Sequence, residues 1–283
     1  MPDYFPTVGV IGVGPLVHLM QAPALALGLN IMNIDMRNDS TRLEECSVTT
    51  FVGDSIALSH IRTHENAGVK FRPSSSSVGF VNEWNGGVVE VFEAKFSVLV
   101  ARSPHGQASA WTPTEINDRE SSFITVTPAP GLSPNQMGVA QSLALDLAMK
   151  SGAVGVMEVE IFLTAGELST GHLSLGPTPH GSWTVEAART SQFEQHLRAI
   201  LDLPLGDPSM VAPFAVSATY CGDDNMYRPY LHLMARSPGL KFHQYRSAAS
   251  GSKGHVTAMG GDLLDLKECV VHAVEYMSGV IDE

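Results

Sequence analysis

The chain has 283 residues, 44% apolar and 16% charged, enough for a substantial core in one large or two to three small domains. Its formal charge of −12 argues against a nucleic-acid partner, although a nucleotide site needs only a local donor cluster. Cys46, Cys221 and Cys269 are far apart with no C-x-x-C, which fits a reducing cytoplasm and no zinc ribbon; no uncharged apolar run is long enough to span a bilayer, and the acidic start is not a secretory signal.

Val8–Ile11 is a short apolar run ending at Gly12-Val-Gly14. A helix follows from Pro15 to Leu27, with Pro15 suited to the first turn and Gly28 to the stop. Asn30–Asp35 is a second strand, so the chain opens as βαβ. Gly12 and Gly14 match two glycines of a dinucleotide fingerprint, but position 17 is valine. Asp35 lies about where a ribose-binding acid belongs. A plain structural βαβ start and a nucleotide-binding regulator using Gly12, Gly14 and Asp35 both remain open.

Ser47–Val52 is expected as a strand and Ile56–Glu65 as a helix. His60 and His64 are spaced i, i+4, a metal pair or a solvated helix face. Ser74–Gly87 is rich in Ser and Gly and reads as a linker. Val88–Phe92, Phe96–Ala101 and Ser122–Thr127 are expected strands. Ser133-Pro-Asn-Gln136 is a helix start, with the helix running to about Lys150 before Gly152.

The densest patterning lies in Val154–Gly206. Met157, Val159, Ile161 and Leu163 alternate with Glu158 and Glu160, so a strand puts both carboxylates on one face, about 7 Å apart. They make either an Mg²⁺ site or a solvated strand face. Pro177-Thr-Pro-His180 is an extended loop that presents His180, either to a ligand or in a structural role. Phe193, Leu197, Ile200 and Leu201 mark one helix face, Ser191 and Glu194 a capping box, and Pro204 the stop. Beyond it, Ala212–Tyr220 and Tyr230–Met234 are expected strands, Asp223-Asp-Asn225 an acidic turn, and Leu263–Met277 the last helix.

Several of these stretches resemble the N5-carboxyaminoimidazole ribonucleotide synthase family, the ATP-grasp ligases of purine biosynthesis, in an actinobacterial form. The carriers are Glu160 in VEIF, Pro-x-Pro-His180, Trp183-Thr, Ser191-Gln-Phe-Glu-Gln-His-Leu-Arg-Ala199 and Leu203-Pro-Leu-Gly-Asp207. Phe96-Ser-Val-Leu-Val-Ala-Arg-Ser-Pro-His-Gly-Gln107 and Ser252-Lys-Gly-His-Val256 add to them. The resemblance implies an α/β and α+β fold. It comprises a Rossmann-like N-terminal domain (1–72), a linker where the small ATP-binding lobe is missing (73–95), a partial ATP-grasp domain holding the large lobe (96–212), and a small β-rich C-terminal domain (213–283).

The resemblance also implies a reaction: carboxylation of aminoimidazole ribonucleotide by ATP and bicarbonate, with Mg-ATP, in a cytoplasmic homodimer. It places metal ligation on Glu160, with Glu158 as a substitute second carboxylate. His180 takes the catalytic position, and Gly12, Gly14 and Lys253 the nucleotide contacts. The family's second metal glutamate falls on Ser174, its bicarbonate arginine on Thr178, and two cations near the end on Ser247 and Ser252. These replacements raise the alternative of a non-catalytic homologue that keeps the fold.

Overall fold

The βαβ opening forms in the computed structural model, which describes residues 5–53, 56–88, 91–119, 122–221, 227–245 and 252–281. β1 (Thr7–Ile11) leads through α1 (Pro15–Ala26) to β2 (Asn30–Ile34), and β3 (Val48–Phe51) joins the other edge of β1. Both pairings are parallel. Gly12 and Gly14 turn the chain at φ of 127° and 104°, where a Cβ is strained, so the backbone itself requires glycine there. α2 (Leu58–Asn66) follows.

The expected linker is instead largely helical: α3 spans Ser75–Asn85. The serines build its start, with Ser74 Oγ accepting from the Ser77 N–H. Phe80, Val81 and Trp84 then give it an apolar side against the main core. The Trp84 indole N–H donates to Gly171 O at 2.9 Å, and the Asn85 amide brackets Leu173 at 2.8 and 2.9 Å. Compositional bias alone does not distinguish such a capped helix from a flexible segment.

Residues 86–93 join α3 directly to the large sheet. Its strands are β4 (Ala94–Arg102), β5 (Ala108–Ala110), β6 (Thr114–Arg119), β7 (Ser122–Thr127), β8 (Gly155–Thr164), β9 (Glu167–Leu175), β10 (Phe214–Tyr220), β11 (Lys241–Gln244) and β12 (Gly254–Gly260). The order is β11-β12-β10-β7-β6-β4-β8-β9, with β5 on β4. The helices are α4 (Pro134–Ser151), α5 (Thr184–Ala187), α6 (Gln192–Ile200), α7 (Tyr227–Arg236) and α8 (Leu263–Met277).

Several expectations change. Tyr230–Met234 lies in α7: a short apolar run does not distinguish strand from helix, and Pro229 is tolerated in a first helical turn. Val88, Val91 and Phe92 belong to no strand, while residues 89 and 90, like Asp223-Asp-Asn225 and Ser247, lie outside the described residues. β10 pairs with β7, so segment 213–283 shares the sheet of the preceding segment. Its core is shared as well: Val216 and Val256 meet Val270 and Ala273 of α8 together with Ile124 and Val126 of β7.

α6 couples the two sheets. Phe193, Leu197 and Ile200 pack with Val8, Val10 and Met20. His196, wholly buried, bridges from the same helix. Its Nδ1 accepts from the Val156 N–H at 3.0 Å, which puts the ring proton on Nε2, facing Thr50 Oγ1 at 2.8 Å. Burial pushes its pKa down to about 3, so the ring is neutral. A Cβ on Gly155 would come within 2.7 Å of that ring.

Candidate functional site

β8 sorts its side chains by alternation. Met157, Val159 and Ile161 enter the core beneath α4 with Ala140, Ala144 and Leu147. Glu158 and Glu160 point to the opposite face, beside Lys95 and Ser97 of neighbouring β4, whose residues pair with β8 in register. That face is not the solvated surface that two strand glutamates suggest: Glu158 is 3% exposed.

His180 closes over Glu158. Its loop is pinned by Gln192, whose side chain accepts from the Thr178 N–H at 3.0 Å and donates to Thr178 O at 2.7 Å. Gly181 leaves no room for a side chain, since a Cβ would sit 2.5 Å from the Gln192 amide oxygen. The loop so held places His180 Nδ1 at 2.9 Å from Glu158 Oε1, with the ring edge-on to Phe123. Ser97 Oγ donates to the same carboxylate oxygen.

Burial alone raises the Glu158 pKa, but the His180 charge and the hydrogen bonds from His180 and Ser97 outweigh it and hold the carboxyl low. Burial likewise lowers the His180 pKa, and the Glu158 carboxylate outweighs it and raises it. The two form a buried ion pair.

Glu160 has a different shell. Its Oε1 lies 3.8 Å from Lys95 Nζ, and its Oε2 lies 3.5 Å from His172 Nδ1. His172 reaches it because β9 pairs irregularly between Val159 and Ile161, so Gly171 and His172 together face one β8 residue. Lys95 is held on its other side by Asp118 Oδ2 at 2.5 Å. Burial, with Glu158 nearby, raises the Glu160 pKa against the opposing pull of Lys95 and the histidines.

Ser174 stands opposite Glu158 in the β8–β9 register. It also lines a cleft of about 590 Å³, with His172, Asn82, Asn85, Val81 and Phe51, between the N-terminal layer, α3 and β9.

The structure thus brings Glu158, Glu160 and His180 together. Gly12 lines another cleft, of about 580 Å³, with Asn33, Asp35 and Arg37, and Gly14 caps α1 beside it. Asp35 accepts from the Arg37 N–H and the Asn38 amide, which lower its pKa and explain it as a turn residue. Lys253 precedes β12, with β10, β7, β6 and β4 lying between that strand and β8. Its backbone N–H donates to Tyr220 O.

Lys95, Ser97, Phe123 and His172 went unread in the sequence. The signal for the first two was polar residues alternating with Phe96, Val98 and Val100 on β4. A further cluster also went unread. His243 Nε2 lies 3.0 Å from Glu186 Oε1, and its ring stacks on His255, whose Nδ1 meets Tyr245 Oη at 2.5 Å. Among the described residues, no group of three or more His, Cys, Asp and Glu is arranged to hold a metal ion, the His60/His64 pair included.

Residues 80–193 match the model of the ATP-grasp domain. N5-carboxyaminoimidazole ribonucleotide synthase of Mycobacterium tuberculosis is 40% identical over 197 residues, 65% of this chain and 45% of that protein. The chain is similar to these synthases over that stretch. The Bacillus subtilis synthase is 33% identical over 171 residues, 59% of this chain and 44% of the relative. The chain therefore spans less than half the length of the curated synthases it matches.

Solved structures agree in fold. The Thermotoga maritima synthetase superposes with a TM-score of 0.81 at 21% identity, over 96% of this chain and 98% of that one. The Aspergillus clavatus synthase, in complex with ADP and 5-aminoimidazole ribonucleotide, gives 0.79 at 17% identity, over 96% and 98%. This chain has the mixed architecture of that fold, and no helix among its described residues is long and apolar enough to cross a membrane.

Proposed function

We propose that the chain serves the reaction of its synthase relatives. ATP phosphorylates bicarbonate, releasing ADP. The carboxyphosphate so formed gives its carboxyl to the amine of aminoimidazole ribonucleotide, phosphate leaves, and N5-carboxyaminoimidazole ribonucleotide results. The observation that supports this reading is the charged face of β8 inside the matched ATP-grasp segment, where Glu158, Glu160, Lys95 and His180 converge on one side of the sheet. The chain's own residues contribute two cations there: the Lys95 ammonium and the paired His180 imidazole, suited to holding anionic oxygens. A cytoplasmic location and a homodimer belong to the same reading.

ATP in this fold implies Mg²⁺, which wants near-octahedral oxygen ligands and gives up its water reluctantly. The β8 face does not fit it. One Glu158 oxygen already takes Ser97 and His180, and the two Glu160 oxygens face Lys95 and His172.

That misfit favours a second reading: a homologue that keeps the fold and binds ligand without turnover. The short connection of residues 86–93 between α3 and β4 favours it too, since it is where the family places a phosphate-covering lobe. The test is a coupled assay of ADP release dependent on both aminoimidazole ribonucleotide and bicarbonate, run beside calorimetric titration of ATP. Turnover abolished by Glu160→Gln supports the first reading. Binding heat without turnover supports the second, and a cooperatively folded protein showing neither removes both.

A further inference from the structure

We propose that Lys95 is the resident cation of the β8 face, occupying the electrostatic position that a divalent ion would take. While Lys95 is present, the face binds no divalent metal. This deepens the proposed function, on which its consequence for nucleotide binding rests: any ATP bound here is held without a metal ligated by β8.

β6, β4 and β8 are adjacent, with β4 in the middle. Lys95 therefore rises between Asp118 of β6 and Glu160 of β8, and its ammonium reaches both, at 2.5 and 3.8 Å. Its side chain is only 14% exposed, so the charge is set into the sheet face rather than swung out into solvent. The remaining contacts engage the other carboxylates. The second oxygen of Glu160 faces His172, and Glu158 is paired with His180. Each of the three carboxylates, Asp118, Glu158 and Glu160, thus already faces a basic side chain of the protein.

A divalent ion entering this face meets two obstacles. It must share the space with a tethered positive charge, which repels it. It must also take Glu160 from Lys95 and His172, leaving the Lys95 ammonium less well compensated in a partly buried site. Removing the ammonium reverses the balance. Asp118 and Glu160 then lose a shared cation, and a hard divalent ion becomes the natural replacement.

The experiment is titration with Mn²⁺ alone, read by loss of the free-ion resonance in electron paramagnetic spectra and by thermal melting. The wild-type protein is expected to show no Glu160-dependent binding. Lys95→Met and Lys95→Gln are expected to gain affinity by about tenfold or more, to melt higher when Mn²⁺ is added, and to lose both effects when Glu160→Gln is combined with them. Two results overturn the proposal: wild-type Mn²⁺ binding that Glu160→Gln abolishes, or folded Lys95 variants that gain no affinity. Should both variants unfold in metal-free buffer, recovery of the fold on adding Mn²⁺ supports the proposal, and failure of both to recover overturns it. A separate titration of wild-type protein with ATP in chelator addresses the proposed function. Absence of all ATP binding removes that function, while the Mn²⁺ result still decides the role of Lys95.

Discussion

The two faces of β8 are built from one run of ten residues and meet opposite physical demands. On one side Met157, Val159 and Ile161 interlock with α4, and each added contact removes apolar surface from water. On the other side Glu158 and Glu160 lie among polar partners from β4, β9 and the 177–183 loop. The apolar face is stable through packing alone. The charged face is stable only as a set, because removing one partner strands a buried charge. Burial thus marks the first face as core and the second as a candidate site, and the difference lies in how many elements must agree on each position.

The comparison is tested most strongly at His180. Replacing it with alanine leaves Glu158 buried without its counter-ion, with an expected loss of about 3–5 kcal/mol at neutral pH in urea unfolding. A loss below about 1 kcal/mol would mean that the pair is not the organising contact of that face. Ile161→Ala on the opposite face is expected to cost about 3 kcal/mol through cavity formation. Unlike His180→Ala, its loss should hardly change between pH 5 and pH 8.

pH separates neutral from charged histidines. His196 and His255 are buried, with pKa values pushed from 6.5 down to about 3. The unfolded chain binds protons that these rings refuse, so stability falls as pH drops below 6.5. At pH 5 each contributes a loss of about 2 kcal/mol. His180, with its pKa raised, works oppositely: its contribution is present below 6.5 and is lost as pH rises through its folded value. Unfolding midpoints measured across this range should show a shallower acid slope in His196→Gln than in wild type. An unchanged slope would contradict the neutral assignment.

The smallest effect is expected far from either face. Ser133 and Gln136 form a reciprocal capping box at the start of α4. Ser133→Ala should cost about 1 kcal/mol in thermal or urea unfolding, with no change in ligand or metal response.

Much of the helical framework was legible because its signals are local. Ser133-Pro-Asn-Gln136, Ser191 before α6, and the apolar spacing of Leu263–Met277 each carry their own start, face or stop. The four serines at the start of α3 read as a linker, and only Trp84 and Asn85 bonding to β9 reveal why the helix is kept. β9 itself, Glu167–Leu175, has glycine, histidine and serine interrupting its alternation. The short apolar run of α7 fits either period, and only its packing makes it a helix.

By itself the sequence determined the βαβ opening, the capped helices, the alternation of β8 and the similarity to the ATP-grasp synthases, all of which reside in neighbouring residues. Only the tertiary structure decided what the β8 carboxylates face. Lys95, Asp118, His172 and His180 arrive from β4, β6, β9 and a distant loop, and no spacing along the chain encodes their meeting. Charge neutralisation at a buried face is a property of strand order and register, and these exist only once the sheet has formed.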